Sequence, residues 1–396
     1  MNLATLNLSD LGSMGGVSLP PRSAFTFTGD MKPIAPRGLR DVIPAGKGRI
    51  TEAEMLDRIR KGQQRGMKSM LRLVGRHPRA VFCVVGGGPS LQDNVGELRR
   101  LAKRGAIIVA VNKSHDWLLK RGLPCHYGVL LDPKEWVADY ITFNIPRVKA
   151  RAGKLWVEPS YLIASQCHDV TLDKFQNHPR AYMWHGGGGI GEEKILRDEF
   201  GKGEWLNLIG ASVVGLRAVT LAVALGASEV HLFGIDGSMK KPPAPAAREI
   251  YKALVDADMA KPGEPGYDEI MDMLLELARR RVILPPSVSA ALKKCHYAYD
   301  KPNIDETWCG FTVELTSGWS RNFMANHHMS RSTYEFDDCM KHWDSEIKRG
   351  SLPPFNIRVH GDPEVSAIAM IAAGMGVHAD PEVNEKYGQP PQRRAA

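Results

Sequence analysis

Residues 81–90 read Val-Phe-Cys-Val-Val-Gly-Gly-Gly-Pro-Ser: five apolar residues, three glycines, then Pro-Ser. A short apolar run with β-branched residues, ended by glycine, is the pattern of a buried strand. Leu91–Lys103 behind it has the spacing of a helix. Three glycines let backbone N–H groups approach an anion with no Cβ in the way. Ser90 stands where it would cap the helix, whose N-terminus favours phosphate. Gly86, Gly87, Gly88, Pro89 and Ser90 are therefore candidate nucleotide contacts. An ordinary strand-to-helix turn would use the same residues. No Lys follows the glycines, so this is not a Walker A loop, and the spacing misses G-x-G-x-x-G.

Further strands are expected at Ala106–Val111, Tyr127–Leu131, Leu155–Val157, Ala181–Trp184, Leu206–Ile209 and Glu229–Phe233. Helices are expected at Ser114–Lys120 and Ser212–Leu225 between them. Strands alternating with helices predict an α/β fold with a mostly parallel sheet and helices on both faces. Asn112, Asp132, His185 and Asp236 each follow such a strand directly. Ligands of open parallel sheets bind beyond the carboxyl ends of the strands, so these four and the glycine loop are expected around one crevice. Asp132 and Asp236 are candidate Mg²⁺ ligands, because a hard ion prefers carboxylate and phosphate oxygens. Each Asp alone also suits a turn or a cap. Gly186–Gly189 and Gly210-Ala211-Ser212 are further glycine-rich turns, with Ser212 a candidate anion contact or plain helix cap.

The chain divides around this centre. Residues 1–50 are rich in Gly, Pro and Ser and read as a flexible arm. Residues 51–79 read as a helix opened by the pair Thr51 and Glu54, with Met55, Ile59, Met67, Met70, Leu71 and Val74 on one face. Residues 80–239 form the nucleotide-binding core. Residues 240–305, after Pro242, Pro243 and Pro245, read as a helical insertion or lid, with helices at Ile250–Ala260 and Tyr267–Arg281. Residues 306–379 complete the α/β domain through a strand at Gly310–Leu315, a helix at Met329–Arg349, a strand at Asn356–Val359 and a helix at Glu364–Ala373. Residues 380–396 are a polar tail.

The net charge of +8 over 396 residues sits in residues 1–80, which hold 14 Lys and Arg against 6 Asp and Glu. A basic arm could touch nucleic acid or an acidic partner, or be a solvated leader. No apolar run reaches about 18 residues, so no membrane partner is expected. Six cysteines without CxxC pairs suit a reducing, cytoplasmic setting. Asp256-Ala257-Asp258 has a metal-binding shape but lies in a helical stretch, which reads as a solvated face. Cys295, His296, Cys309, His327, His328, Cys339 and His342 match no paired zinc motif.

Taken together, Val-Val-Gly-Gly-Gly-Pro-Ser-Leu (84–91), Val-Ala-Val-Asn (109–112), Leu-Leu-Asp (130–132), Gly-Ala-Ser-Val-Val-Gly (210–215) and Phe-Gly-Ile-Asp-Gly-Ser (233–238) resemble the MptE-like 6-hydroxymethylpterin diphosphokinase family. That family is related to motility-accessory glycosyltransferases and to bacterial sialyltransferases. Tyr161–His168, Trp184-His185 and His296-Tyr297-Ala298-Tyr299 are similar to versions in tailed phages, which would place the protein in the host cytoplasm. The resemblance covers residues 80–375. It implies a Rossmann-like transferase with Gly86–Ser90 and Asn112 on the nucleotide, and Asp132 and Asp236 on metal or substrate.

Three readings follow. The first is a transferase moving diphosphate from ATP, or another nucleotide donor, with Mg²⁺ to a hydroxymethyl-bearing small molecule, His185 or His296 serving as general base. The second is a glycosyltransferase using a nucleotide sugar, with a glycan acceptor. The third is a non-catalytic nucleic-acid-binding or scaffold protein acting through the basic arm. Oligomeric state is not legible.

Overall fold

The computed structural model describes residues 25–28, 52–186, 213–239, 244–279, 286–293, 308–315, 317–350 and 352–377, with isolated positions between them. In chain order the strands are β1 (Phe25–Thr28), β2 (Lys68–Ser69), β3 (Ala80–Val85), β4 (Ile107–Val111), β5 (Tyr127–Leu130), β6 (Ser160–Ala164), β7 (Ala181–Trp184), β8 (Ala227–Phe233), β9 (Trp308–Leu315), β10 (Ser320–Asn326) and β11 (Asn356–His360). The helices used below are α1 (Glu52–Gln64), α2 (Val95–Lys103), α3 (Ser114–Lys120), α4 (Val148–Ala152), α5 (Asp169–Phe175), α6 (Val214–Leu225), α7 (Ala244–Asp256), α8 (Tyr267–Arg279), α9 (Pro286–Lys293), α10 (His327–Lys348) and α11 (Ala367–Gly374).

Eight strands form one sheet in the order β11-β8-β3-β4-β5-β6-β7-β2, and every pairing in it is parallel. Alternation along β3 explains the two layers. Phe82 and Val84 point to a core shared with α6, while Cys83 and Val85 point to a second core shared with α2 and α3. Both faces are therefore covered, as a parallel sheet requires. The architecture is Rossmann-like α/β. From β3 the chain steps outward through β4, β5, β6 and β7, then returns to add β8 and β11 on the other side of β3. The reversal of direction falls between β3 and β8.

Several expectations shift. The helix expected over 51–79 ends at Gln64; Gly66 turns at φ 66°, and Lys68–Ser69 then pairs with Tyr182 and Met183 of β7. Leu155–Val157 is not a strand: a 3-10 turn spans Gly153–Leu155, and the strand is Ser160–Ala164, all five residues buried. Phe25–Thr28, inside the stretch expected to lack structure, pairs antiparallel with β9, and β10 pairs on the other side. Residues 308–326 thus build a small sheet of their own, and only β11 extends the large one. Phe311, Val313, Leu315 and Phe323 nevertheless belong to the same core as α6 and α11, so the small sheet is packed onto the body. Helices α7, α8 and α9 share a separate core through Ile250, Leu254, Ile270, Leu274 and Val288. Among the described residues no helix is long and apolar enough to cross a membrane.

Candidate functional site

The parallel sheet delivers the ends of its strands to one edge. Along it stand the loop after β8 with Asp236, the Gly86–Ser90 loop after β3, Asn112 after β4, Asp132 after β5, Ser165 after β6 and His185 after β7. Ordinarily the gap at the reversal, here between β3 and β8, would receive the ligand. In this chain that gap is closed by protein.

The glycine loop is fastened to the loop after β8. Gly86 N–H donates to Phe233 O and Gly88 N–H to Gly234 O, both at 2.8 Å. Ser90 N–H donates to Asp236 Oδ2 at 2.9 Å, and Ser90 Oγ donates to Asp236 Oδ1 at 2.6 Å. Leu91 N–H turns back to Gly88 O at 3.2 Å. Pro89 has no N–H, so within 86–91 only Gly87 keeps an amide without a partner among the described residues. Close approach also explains two of the glycines. A Cβ on Gly86 would lie 2.5 Å from Gly234 O, and one on Gly88 would lie 2.8 Å from that atom and against Asp236 Oδ2. The expected amide cradle is thus mostly spent inside the protein. Ser90 caps no helix: Pro89–Leu91 is a 3-10 turn, and α2 starts at Val95 behind Asn94.

Asp236 is enclosed, 3% exposed. Burial pushes its carboxyl up to about 6, against hydrogen bonds from Ser90 and Ser366 that favour the charged form. It is a lock between β3, β8 and the start of α11. It also stands three strand spacings from Asp132, about 14 Å at ~4.8 Å per strand. Oxygens around one Mg²⁺ lie ~2.1 Å from it, hence within about 4 Å of each other. The two carboxylates cannot share an ion, and Asp236, with both oxygens occupied, does not suit one.

The open part of the edge lies at β4 and β5. Asn112 adopts φ 52°, a left-handed conformation that Asn tolerates, and its N–H donates to Val129 O at 3.0 Å. Its Nδ2 reaches Asp132 Oδ2 at 3.5 Å. Its Oδ1 is buried and has no hydrogen-bond partner among the described residues. Such an orphan is uncommon in native proteins, and a ligand group is one ordinary explanation. Asp132 is half-buried beside it. These two oxygens form a hard donor set that fits Mg²⁺ shared with substrate phosphate.

Two cations that sequence reading did not single out flank this point. Lys113 follows Asn112 and lies 4.9 Å over the Tyr140 ring, on the segment after Asp132. Partial burial lowers its pKa from the ordinary lysine value, and Asp139 opposes that. Arg58, from α1, donates through Nη1 to Pro133 O at 2.9 Å and Gln166 O at 3.2 Å, tying the loops after β5 and β6 together. The signal for Lys113 was its position one residue past a strand-end Asn. Arg58 had none, since its partners are 75 and 108 residues away. Part of the basic arm is likewise spent on docking: Arg65 binds Asp169 at 2.9 Å and Asp173 at 2.8 Å.

His185 is buried, and desolvation lowers it to about 4. Its Nδ1 is engaged by Ser165 Oγ at 2.7 Å. A neutral, enclosed imidazole with this pKa is poorly matched to general-base work near pH 7. Gly186 is joined to Gln166 through Gly186 N–H and Gln166 Oε1 at 3.3 Å. Ser212, Gly187–Gly189 and His296 lie outside the described residues. Asp256 ends α7 and Asp258 turns at φ 55°, both exposed. Among the described residues no group of three or more His, Cys, Asp or Glu is placed to hold a metal ion.

The family profile described as 6-hydroxymethylpterin diphosphokinase MptE-like matches residues 53–242. The match starts earlier and ends sooner than the span read from the motifs; it takes in α1 and stops before α7. No curated protein matches the chain. Among solved structures, a MAf glycosyltransferase from Magnetospirillum magneticum AMB-1 aligns at 18% identity and TM-score 0.36, over 51% of this chain and 29% of that one. The sialyltransferase CstII from Campylobacter jejuni, in complex with cytidine-5'-monophosphate, aligns at 16% identity and TM-score 0.23, over 40% of this chain and 62% of that one. The chain therefore spans less than two thirds of either structure. The matched residues 53–242, just under half of the chain, carry the glycine loop, Asn112, Asp132 and Asp236, and over them the chain is similar to the MptE-like family.

Proposed function

We propose that the protein transfers diphosphate from ATP to a hydroxymethyl-bearing small molecule, with Mg²⁺, at the ends of β3, β4 and β5. One observation carries this reading: the buried, unpartnered Asn112 Oδ1 beside Asp132. The family match supports the reaction class. In such a transfer the acceptor hydroxyl gives up its proton to water, its oxygen bonds to the β-phosphorus, the bond between that phosphorus and the α-phosphate bridging oxygen breaks, and AMP leaves with that oxygen. The demand on the protein is positioning and charge neutralisation. Lys113 would face phosphate oxygens, Gly87 N–H would donate to one, and Arg58 would hold the two flanking loops in register. Asp132 and Asn112 Oδ1 would hold Mg²⁺, which neutralises phosphate charge when bound.

The test is a thermal-stability titration of the full chain with ATP and with nucleotide sugars, with and without Mg²⁺, followed by product analysis with candidate acceptors. ATP should stabilise the wild type more with Mg²⁺, and AMP should be released. Asp132→Asn should keep nucleotide-dependent stabilisation and lose its Mg²⁺ dependence. Equal Mg²⁺ dependence in Asp132→Asn would remove Asp132 from the ion. Stabilisation only by nucleotide sugars, with release of a nucleoside phosphate other than AMP, would replace the reading by glycosyl transfer.

A further inference from the structure

A second polar cavity lies away from the strand ends, on the face of the sheet beside α2. Alternation puts Glu229 and His231 of β8, and Arg358 and His360 of β11, on the face that carries α2. Helix α2 packs over β3 and β4, so the outer strands leave a cavity of about 440 Å³ under its flank. That volume is in the range of small-molecule sites.

The lining is built as a chain of hydrogen bonds. Arg358 Nε donates to Glu229 Oε1 at 2.6 Å, the same oxygen meets His231 Nε2 at 2.7 Å, and His231 Nδ1 meets His360 Nε2 at 2.7 Å. The His360 ring stacks on Phe233 with centroids 4.1 Å apart. From α2, Arg100 pairs with Glu97 through two bonds of 2.5 and 2.6 Å. Arg104, at the end of the same helix, has no side-chain partner among the described residues. Three guanidiniums thus face two carboxylates, and neither Arg100 nor Arg358 has used its full fork of five donors.

We propose that this cavity binds a small organic phosphate monoester, its phosphate held by Arg104 with the remaining donors of Arg358 and Arg100. Guanidinium clusters suit phosphate because the planar fork matches two oxygens at once. The His231 imidazole adds a conditional charge. Burial lowers the pKa of His231 from the ordinary histidine value and Arg358 adds to that, while Glu229 and Glu97 favour its protonated form. A bound anion would tip this balance toward imidazolium, so binding takes up a proton and strengthens as pH falls.

The probes are sulfate, which stays a dianion from pH 6 to 8, and phenyl phosphate, both titrated into the full chain by calorimetry. Sulfate should bind more tightly at pH 6 than at pH 8, and phenyl phosphate more tightly than sulfate. Arg104→Ala, on an exposed helix end, should weaken both by roughly tenfold or more, and Lys252→Ala, exposed on α7 away from both sites, should leave both unchanged. Wild-type affinity in Arg104→Ala, or loss of binding in Lys252→Ala instead, would overturn the site. Phenyl phosphate binding no tighter than sulfate would overturn the assignment of an organic body to the cavity. These outcomes are independent of ATP turnover at the strand ends.

Discussion

Asp236 shows how a residue with the chemistry of a ligand can be given over to holding the fold. Its carboxyl keeps its proton up to about 6 in the folded chain, while an unfolded Asp releases it near 3.8. Between these values the native state binds more protons, so stability is greatest below the lower value and falls as pH rises through the upper one. The difference is on the order of 3 kcal/mol for this fully enclosed group. Asp236→Asn is expected to flatten that part of the profile, since the amide can accept from Ser90 N–H and donate to Ser90 Oγ. Urea melts from pH 4 to 7 measure it, and an unchanged slope would assign the pH dependence elsewhere. Gly88→Ala should lower stability at every pH, because its Cβ would fall 2.8 Å from Gly234 O in a backbone that cannot step aside. If Gly88→Ala melts with the wild type, the two loops are not sealed as described.

At the scale of elements, the site depends on how α11 and α1 are attached. Helix α11 is eight residues long, and Ala367–Ala373 is wholly buried, so its first turn needs a cap from within the protein. Ser366 supplies it: its Oγ accepts from Ala369 N–H at 3.2 Å and lies 3.3 Å from Asp236 O as a donor. Ser366→Ala is expected to cost about 1–2 kcal/mol and, in a chain of this size, a few degrees of melting temperature. A melt indistinguishable from wild type would show that the cap contributes nothing. Helix α1 is attached by polar contacts, Arg58 to two loop carbonyls and Arg65 to two aspartates. Arg58 and Arg65, two of the basic residues counted in the N-terminal stretch, hold α1 against the loops after β5 and β6 and against α5.

For the molecule as a whole, the two sheets have different kinds of closure. The large sheet has its Rossmann-like layers on both faces, but β9 of the small sheet is shielded on one side only by β1. Removing residues 1–50 should leave the nucleotide response intact, because the strand ends and α1 remain. It should also bare the edge of β9 that β1 covers, Thr312–Leu315, which invites pairing between chains. Light scattering after size exclusion should then show association that rises with concentration. A truncated chain that stays as dispersed as the full one would mean that β1 protects nothing.

The sequence by itself determined the parallel sheet, because buried strands and their glycine exits are local patterns: Val81–Val85, Ala106–Val111 and Glu229–Phe233 were legible without any partner. It also determined which polar residues would stand on the strand-end edge, since each follows its strand directly. It missed Ser160–Ala164 in favour of the apolar Leu155–Val157, whose chain instead makes a tight turn before Pro159. Only the tertiary structure decided what those edge residues do. Ser90 meets Asp236 across 146 residues, which turns an expected phosphate loop into a lock and moves the open crevice to Asn112 and Asp132. Hydrogen-bond partners that distant leave no trace in local periodicity, because periodicity records which face a residue takes and not which group waits there.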